Sequence, residues 1–329
     1  MEPKGKYPPA CGFTRYLVTG GAGFIGRRVV ERLLSDPQAA VMVVDNLSVG
    51  LAMPAPRIGL HTVSADIRCS EKIGRAFAAF SPQVVIHLAA IHHIPTCETR
   101  RSYSLDVNIV GAETILEAAS RSKTERFVLA SSGAVYAWAD GPLDEAMTPL
   151  RPADNYSIAK HTNEMQTRLW AERTGAQAVV ARIFNAIGQN DPNAHLIPDI
   201  VGQIPKGARA VEIALGNLSP RRDYIHVEDA ARAIATLATA PLEKRVETFN
   251  VATGADVSVV ELVEMLASVI GVEITVREDP TRKRRVDRPS QLGDVRKIRR
   301  LLAFEPRRNL REALIDIVRP SEWPLQAAQ

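Results

Sequence analysis

The chain has 329 residues, of which 46% are hydrophobic and 24% are charged; these values exclude an intrinsically disordered protein and allow one large domain or two. Its net charge of +4 comes from one stretch, because residues 277–300 contain ten Lys and Arg against four Asp and Glu. That stretch has neither interleaved aromatic residues nor a nucleic-acid reader motif, so we expect no nucleic-acid partner.

The cysteine pattern and the apolar runs exclude further classes of protein. Cys11, Cys69 and Cys97 show no C-x-x-C spacing and cannot all pair, which argues against a disulfide framework and against a metal site, and fits a reducing cytoplasm. No apolar run reaches the roughly 18 residues of a membrane span. Residues 1–14 lack the apolar core of a signal peptide, so we expect a flexible N-terminal tail and no membrane partner.

The first predicted strand, 15–19, runs directly into a glycine-rich turn and then into a helix. The glycines are spaced three residues apart, which is typical of a turn that lets backbone N–H groups approach a pyrophosphate at a helix N-terminus. Glycine clusters also occur in ordinary tight turns, so the turn alone is weak evidence. Its candidate dinucleotide contacts are Gly20, Gly23, Phe24, Ile25 and Gly26.

The second predicted strand, 41–45, ends in Asp45, nineteen residues after Gly26. An acidic residue at this place in a βαβ unit accepts hydrogen bonds from ribose hydroxyls and would repel a 2′-phosphate. The strand and the glycine turn together therefore predict an NAD site, with NAD preferred over NADP.

The following elements continue the alternation of strands and helices. The strands are near-continuous apolar runs, which indicates burial on both faces and hence a parallel sheet between two layers of helices. We therefore predict an α/β fold with a Rossmann-type doubly wound parallel sheet. Its further strands are expected near 84–87, 126–130 and 178–183, and its helices near 24–35, 71–80, 104–122 and 155–174.

The chain changes character after about residue 185, with more Pro, Gly and charge and with helices near 196–206, 227–240 and 258–270. We expect a smaller α/β lobe that binds the substrate at the carboxyl ends of the strands. The predicted division is a tail over 1–14, a Rossmann domain over 15–185 and a lobe over 186–329. Segments within 222–252 are candidates to return to the first sheet.

Tyr156 and Lys160 are four residues apart in a predicted helix, so a phenol and an ammonium share one face. A neighbouring positive charge favours the phenolate and lowers its pKa, which makes the pair a candidate base. A packed tyrosine beside a lysine is the alternative. The position favours catalysis, because strand 126–130 ends at Ser131 and Ser132, and a serine there can share the substrate hydroxyl.

The chain resembles the extended short-chain dehydrogenase/reductases, and among them the NAD-dependent nucleotide-sugar epimerases and dehydratases. The resemblance covers nearly the whole chain and rests on several motifs in the same order. These are the glycine turn, Asp45-Asn46-Leu47-Ser48, Asp66-Ile67, His87-Leu88-Ala89-Ala90, Asn108, Ser131-Ser132, Tyr156/Lys160, Arg182-Ile183-Phe184-Asn185, Arg222-Asp223-Tyr224-Ile225-His226-Val227 and the Arg284 region.

The resemblance implies a role for most of these residues. Besides the glycine turn, it assigns to the cofactor Asp45, Asn46, Ser48, Asp66, Ile67, Leu88, Ala89, Ala90, Asn108, Ser131, Tyr156 and Lys160. It assigns to the substrate Ser132, Gly133, Tyr156, Asn185, His195, Leu196, Arg222, Arg284 and His92. Arg222 and Arg284 would clamp the diphosphate, since the planar guanidinium matches phosphate oxygens.

The chain departs from the family pattern at Gly133 and Ala134. The sugar 4,6-dehydratases carry an Asp-Glu acid/base pair there, and the nucleotide-sugar decarboxylases carry a glutamate at the position of Ala134. Both reactions thus lose their expected proton-transfer group. Ser132, Tyr156 and Lys160 remain as the catalytic set, which suffices to oxidise and reduce one carbinol.

That set implies an NAD-dependent 4-epimerase, an isomerase that inverts C4 of a UDP-hexose or UDP-hexuronate through a 4-keto sugar. A reductase of 4-keto sugars, or a dehydratase of the same family, is the alternative. An alternative of another class is a non-catalytic dinucleotide-sensing module.

The sugar is less well defined by the sequence. His92 and the pair Arg100-Arg101 follow the fourth strand, and a cationic loop there would suit a uronic acid, although these residues also fit a surface or helix-packing role. UDP-glucuronate is favoured over UDP-glucose, UDP-N-acetylglucosamine and their 4-epimers. The resemblance also implies a homodimer through a four-helix interface of helices 104–122 and 155–174.

Overall fold

A computed structural model describes residues 14–49, 52–192, 195–283 and 288–318. Residues 1–13 of the expected tail lie outside the described residues, and Thr14 is the first residue of a strand. The first half of the chain forms β1 (Thr14–Thr19), α1 (Gly26–Leu33), β2 (Ala39–Asp45), β3 (Leu60–Ser64), α2 (Ser70–Phe80), β4 (Val84–His87), α3 (Ile94–Thr99), α4 (Arg101–Leu105), α5 (Gly111–Arg121), β5 (Arg126–Ser132), α6 (Asn155–Thr174) and β6 (Gln177–Ile183).

The second half has shorter strands. It forms β7 (Asn185–Ile187), α7 (Leu196–Gly202), β8 (Ala210–Leu215), β9 (Arg221–His226), α8 (Val227–Thr239), β10 (Val246–Val251), β11 (Asp256–Ser258), α9 (Val259–Ile270), β12 (Glu273–Glu278), β13 (Ser290–Gln291), α10 (Arg296–Leu302) and α11 (Leu310–Val318).

The chain divides into two compact units, and each is interrupted in sequence. The first unit comprises the residues up to Val135 together with Pro152–Arg182 and Ala231–Phe249. The second comprises Tyr136–Arg151, Ile183–Ala230 and the residues from Asn250 onward.

The first unit contains a seven-stranded sheet with the strand order β10-β6-β5-β4-β1-β2-β3. The pairs of β1 with β2 and β4, of β2 with β3, and of β4 with β5 are all parallel. Its central strands are buried on both faces, as in β1, where Leu17 and Val18 are fully buried. This is the Rossmann-type arrangement that the apolar runs predict.

One edge strand of this sheet is not predicted by the apolar runs, and the other edge strand comes from the candidate 222–252 segment. β3 is missed by the apolar pattern because it is a partly exposed edge strand, with Thr62 and Ser64 facing solvent. β10 joins the sheet at its other edge, whereas β9, from the same candidate 222–252 segment, belongs to the smaller sheet of the second unit.

The second unit is built around β9, which pairs in parallel with β7 and β13 and antiparallel with β11. A separate parallel pair joins β8 and β12. Helix α9 begins with a capping box, since the Ser258 Oγ accepts from the Glu261 N–H at 3.1 Å and the Glu261 carboxylate accepts from the Ser258 N–H. Leu262 and Leu266 of this helix are fully buried in the core of the unit.

Within the described ranges, no helix combines the length and the apolar character that crossing a membrane requires.

Candidate functional site

The glycine turn after β1 has a shape that only glycine permits at two positions. Gly20 has a φ of +69°, and a Cβ atom there would lie 2.7 Å from the Ala89 nitrogen. A Cβ on Gly26 would lie 2.0 Å from the Gly20 carbonyl oxygen. The first turn of α1 therefore packs directly against the end of β1, as the three-residue spacing predicts.

The N-terminus of α1 offers backbone donors to a ligand. Among the described residues, no side chain caps this helix at Ile25. The N–H groups of a first helical turn have no partner within the helix, and the helix dipole makes this end attractive to anions. Phe24 and Ile25 lie in the turn itself, and both are partly exposed.

Asp45, the last residue of β2, is hydrogen bonded to the glycine turn. Its carboxylate accepts from the Ala22 N–H at 3.0 Å and from the Leu47 N–H at 2.8 Å, so both oxygens are fixed in direction. Leu47 has a φ of +58°, an uncommon conformation for a leucine. The Asn46 side chain accepts from the Ser48 N–H at 3.1 Å, and this bond stabilises the same loop. Asn46 and Ser48 are both exposed.

Asp66 follows β3 and is held by Arg68, a residue that the sequence analysis did not select. The Asp66 Oδ1 accepts from the Arg68 backbone N–H at 2.9 Å and from its Nε at 3.0 Å, and Oδ2 accepts from Nη2 at 2.8 Å. The same guanidinium donates to Asp106 at 2.6 Å. The Arg68 hydrogen bond is the largest effect on the Asp66 carboxyl, whose pKa falls to about 2.

Ile67 lies against α5 at a second close approach. A Cβ on Gly111, the first residue of α5, would lie 2.5 Å from the Ile67 Cδ1. Asp106, the partner of Arg68, begins a π-helical turn over Asp106–Val110 that joins α4 to α5. Arg68 and Gly111 together fix the Asp66-Ile67 segment to this long helical region.

The chain leaving β4 is held by a buried threonine and histidine. The Thr19 hydroxyl and the His87 Nδ1 are 2.7 Å apart, and the Thr19 hydroxyl also accepts from the Ala89 N–H at 3.3 Å. Burial, with a smaller contribution from Lys160, lowers the pKa of His87 to about 3, so the imidazole is neutral. Leu88, Ala89 and Ala90 follow and are partly exposed, next to the glycine turn.

Asn108, which the resemblance assigns to the cofactor, is bonded to the loop after β4. Its Oδ1 accepts from the Ile91 N–H and its Nδ2 donates to the Ile91 carbonyl, both at 2.8 Å. The side chain is buried, so in the structure it fixes the path of the loop. Its contact with the cofactor stays a prediction.

Tyr156 is placed by a capping box at the start of α6. The Asp154 carboxylate accepts from the Ser157 N–H at 2.7 Å, and the Ser157 hydroxyl accepts from the Asp154 N–H at 3.1 Å. The Glu98 carboxylate accepts from the N–H of Asn155 at 2.8 Å. Tyr156 is the second residue of this fixed helix.

Lys160 lies one turn further along α6 and is buried. Its Nζ donates to the Ala130 carbonyl of β5 at 2.8 Å and lies 5.9 Å from the centre of the Tyr156 ring. Ser132, two residues after Ala130, is close enough to the Tyr156 side chain to lower the pKa of the phenol. The structure therefore brings together all three residues of the predicted catalytic set.

The pKa values differ from the simple expectation of a tyrosine acidified by its lysine. Burial is the largest effect and raises the pKa of Tyr156 to about 12, although Ser132 acts in the opposite direction. Burial also lowers the pKa of Lys160 to about 8. Loss of hydration disfavours the charged form of each group.

Ser131 and Gly133 flank Ser132 and are both buried. The Ser131 hydroxyl donates to the Glu164 carboxylate at 2.6 Å, so this hydroxyl is directed into the interior of the unit. Gly133 begins a short 3₁₀ turn over Gly133–Val135, and the Ala134 N–H donates to the Ser132 hydroxyl at 3.2 Å. The turn thus fixes the hydroxyl that faces Tyr156.

The residues expected to bind the nucleotide diphosphate are in the second unit. The Asn185 side chain donates to the Asp223 carbonyl at 2.9 Å, and the His195 Nδ1 lies 2.7 Å from Asp191. Arg222 donates through Nη1 to the carbonyls of Arg221 and Arg288, at 2.8 and 2.7 Å. Leu196 is the first residue of α7 and is partly buried.

Two further predicted substrate residues are Arg284 and His92. Arg284 lies outside the described residues. His92 is partly buried and precedes His93, whose Nδ1 lies 2.9 Å from the Thr96 hydroxyl at the start of α3. Arg100 lies over the Tyr103 ring at 4.3 Å, so one member of the cationic pair is held against α4.

The first unit fits NAD on these observations. The uncapped α1 N-terminus, which close packing at Gly20 and Gly26 brings against the end of β1, matches a pyrophosphate, and the fixed Asp45 carboxylate matches a ribose diol. NAD supplies a hydride acceptor and donor when it is bound.

Comparison with known proteins gives a consistent result. The sequence model of the NAD dependent epimerase/dehydratase family matches residues 16–252. UDP-glucose 4-epimerase of Halalkalibacterium halodurans is 30% identical over 318 residues, which cover 91% of this chain and 93% of that protein. GDP-6-deoxy-D-mannose reductase of Pseudomonas aeruginosa is 26% identical over 94% of this chain and 97% of its own.

Two solved structures extend the comparison. UDP-glucose 4-epimerase of Thermotoga maritima, solved with UDP-glucose, superposes with a TM-score of 0.83 at 28% identity and covers 92% of this chain and 96% of its own. MoeE5 in complex with UDP-glucuronic acid and NAD has a TM-score of 0.79 at 29% identity, over 92% of this chain and 97% of its own.

Proposed function

Because the chain belongs to the NAD-dependent epimerase/dehydratase family, we propose that it is an NAD-dependent UDP-sugar 4-epimerase. One observation carries the proposal: Tyr156, Ser132 and Lys160 are assembled at the end of β5, while Gly133 and Ala134 replace the acid/base pair of the dehydratases. The UDP-glucose 4-epimerases among the similar proteins support it.

In this proposal Tyr156 exchanges a proton with the C4 hydroxyl of the sugar, either directly or through Ser132. The Lys160 ammonium stabilises the phenolate, and the Ala130 carbonyl holds that ammonium in place. The same groups then return the proton to a 4-keto sugar that presents its other face. The chain thus has to hold one carbinol and one tyrosine in a fixed geometry.

The remaining site residues are part of the same proposal. The glycine turn, Asp45-Asn46-Leu47-Ser48, Asp66-Ile67, Leu88-Ala89-Ala90, Asn108 and Ser131 would hold NAD. Asn185, His195, Leu196, Arg222 and Arg284 would hold the nucleotide diphosphate, and His92 and Gly133 the sugar.

We propose UDP-glucuronate as the favoured substrate, with UDP-glucose and UDP-N-acetylglucosamine next. MoeE5, which was solved with UDP-glucuronic acid, is similar to this chain over nearly its full length. The loop after β4 carries His92, and Arg100 and Arg101 lie beyond α3 at the start of α4. MoeE5 was also solved with UDP-glucose. The choice among the sugars therefore depends on a direct assay.

The assay is incubation with each UDP-sugar and NMR analysis of the products. We expect inversion at C4 for at least one sugar without net consumption of NAD. Tyr156→Phe should lower turnover about 10³-fold and still bind NAD, because it removes only the proton-transfer group. Tyr103→Phe serves as the matched control, since it keeps the ring beneath Arg100. An unchanged C4 configuration with every UDP-sugar would exclude the proposal.

A 4-keto-sugar reductase is the second candidate, favoured by the similarity to the P. aeruginosa reductase. A reductase releases oxidised cofactor after each turnover, whereas an epimerase retains it through purification. A non-catalytic sensor would be indicated if Tyr156→Phe left the biological activity unchanged.

We also propose the homodimer that the family resemblance implies. α6 exposes three apolar side chains, Ile158, Met165 and Leu169, each at 45–48%, and Val110 of the preceding helical region is 52% exposed. Exposed apolar side chains on adjacent helices fit a second copy of this chain.

A charge on this surface tests the dimer. Met165→Asp should shift the protein from dimer to monomer in sedimentation analysis, because burial of a carboxylate at an interface is costly. Met147→Asp is the matched control, since Met147 is 82% exposed and lies in the second unit. A wild-type monomer, or equal behaviour of the two variants, would contradict the proposed interface.

A further inference from the structure

A buried ion pair lies next to Lys160 and has no part in the function proposed above. Glu164 is one helical turn after Lys160 on α6, and Arg182 lies on β6. Arg182 donates to Glu164 through Nε at 2.9 Å and through Nη2 at 2.8 Å. The two residues are 1% and 2% exposed, so this pair is removed from solvent.

The pair is connected to the strand that carries Ser132. The Ser131 hydroxyl, 2% exposed, donates to Glu164 Oε1 at 2.6 Å. Lys160 donates to the carbonyl of the preceding residue, Ala130. Two successive residues of β5 are therefore bonded to two successive turns of α6, and Ser132 is the next residue along the strand.

The charges explain why Glu164 needs a partner. A buried carboxylate one turn from a lysine attracts the ammonium group, since both lie on one face of the helix and the surroundings screen poorly. Lys160 nevertheless donates to Ala130, while both Glu164 oxygens accept from Arg182. The bidentate arginine thus satisfies both oxygens of the Glu164 carboxylate.

The other titratable groups near Lys160 come from several elements. They are His87 on β4, Cys97 on α3, Tyr156 on α6 and Asp154 just before α6. Burial keeps the imidazole and the thiol neutral, with pKa values of about 3 and about 11. Asp154 accepts from the Ser157 N–H as the helix cap. Glu164 is the buried carboxylate one turn after Lys160 on the same helix.

We propose that Glu164 and Arg182 are positioning residues: Arg182 keeps the Glu164 carboxylate from capturing Lys160, and Glu164 fixes Ser131 and with it the end of β5. The role rests on the proposed function of Tyr156 and Lys160, but neither residue touches the substrate or NAD. It predicts that removal of either charge disturbs Lys160 and that removal of both restores it.

The test is an NMR titration of Lys160 in the full-length protein with ¹³Cε-labelled lysine, its signal assigned from Lys160→Arg. In Arg182→Met the uncompensated carboxylate should raise the pKa of Lys160 by at least one pH unit. In Glu164→Gln the uncompensated guanidinium should lower that pKa. The double variant Glu164→Gln/Arg182→Met should return to within about 0.3 units of the wild type, since no net charge remains.

Control variants separate charge from packing. Ile115→Ala removes a fully buried side chain of α5 without a change in charge and should leave the Lys160 titration unchanged. Arg182→Lys keeps the charge and should stay near the wild type. If Arg182→Met does not fold, the Lys160 titration in Glu164→Gln alone tests the proposal, because the glutamine keeps a side-chain oxygen that can accept the hydrogen bond from Ser131. Shifts of the same sign in both single variants, or no shift in either, would overturn the proposal.

A kinetic measurement tests the second half of the role. Ser131→Ala removes the bond to Glu164 and leaves both charges, so we expect kcat to fall two- to tenfold with KM and the Lys160 titration unchanged. An unchanged kcat would overturn this part, and so would weaker NAD binding in Ser131→Ala, because the loss would then come from the cofactor contact proposed for Ser131. If the protein converts no UDP-sugar, the proposed epimerase function fails, while the NMR titration still decides whether the ion pair controls Lys160.

Discussion

The polar residues around the proposed catalytic set of the first unit are more buried than the second-unit residues that are expected to bind the nucleotide diphosphate. In the first unit, Lys160, His87, Glu164 and Arg182 are all buried, and strand ends or a capped helix fix them. In the second unit, Asn185, His195 and Arg222 are partly exposed and bond to nearby carbonyls or, for His195, to a carboxylate four residues earlier in the chain.

The difference indicates that the two units have different roles in the proposed function. Burial sets the pKa values of Lys160 and His87, so in the proposed function the first unit would control protonation. Partly exposed groups on short strands and loops suit the recognition of a charged, solvated nucleotide. Changes in the first unit should therefore affect stability and chemistry together, and changes in the second mainly substrate affinity.

The largest effect is expected at the glycine turn. Gly26→Ala places a Cβ 2.0 Å from the Gly20 carbonyl oxygen, which the backbone cannot accommodate without movement. We expect a loss of more than about 4 kcal/mol in the free energy of unfolding and at least tenfold weaker NAD binding, measured by chemical denaturation and calorimetry.

Gly74→Ala is the matched control for that change. Gly74 lies inside α2, and nothing lies within 4 Å of its hypothetical Cβ. Alanine has the higher helix propensity, so the control should gain about 0.5–1 kcal/mol and keep its affinity for NAD. If Gly26→Ala behaved like Gly74→Ala, the close approach of α1 to β1 would be wrong.

The second largest effect is expected in the stability of the protein at acid pH, through the titration of His87. Its pKa is about 3 in the folded protein and 6.5 in the unfolded chain, so the unfolded state binds the extra proton between these values. Stability should therefore fall by roughly 1.4 kcal/mol for each pH unit below 6.5, until about pH 3. His87→Asn, which can still hydrogen bond to Thr19, should flatten this slope in denaturation curves at pH 4 to 6. Parallel curves for the two proteins would contradict a buried, neutral His87.

The smallest effect is expected in the second unit. Arg222→Ala should raise KM for the UDP-sugar about tenfold, equivalent to about 1.4 kcal/mol, by loss of a diphosphate contact, with NAD affinity unchanged. Steady-state kinetics and calorimetry measure the two quantities. Arg282→Ala, which removes an exposed partner of Asp199, is the control and should leave KM unchanged. Loss of NAD binding in Arg222→Ala would abolish the distinction between the two units.

The sequence predicted the positions of strands and helices correctly where the local residue pattern and the burial in the fold agree. β1, β2, β4, β5 and β6 lie where the apolar runs predict them, because a strand buried on both faces has to be apolar throughout. The helix Asn155–Thr174 coincides with its prediction, since Asp154 and Ser157 form a capping box and Gly175 ends it with a φ of +76°.

Other features depend on contacts between residues distant in sequence. The pairing of Arg68 with Asp106 spans 38 positions, and no local spacing marks it. Asn108 fits a cofactor contact by motif, yet its amide is bonded to Ile91. The edge strand β3 alternates in exposure and is short, so it lacks the strong apolar signal of the central strands.

The sequence by itself determined the order of strands and helices, the glycine turn and the identity of the Ser132, Tyr156 and Lys160 set, since each depends on residue type and local spacing. Only the tertiary structure decided the protonation properties of that set. Burial raises the pKa of Tyr156 and lowers that of Lys160, and Glu164 meets Arg182 across two elements. Desolvation and ion pairing depend on what surrounds a group in space, which the spacing of residues along the chain does not encode.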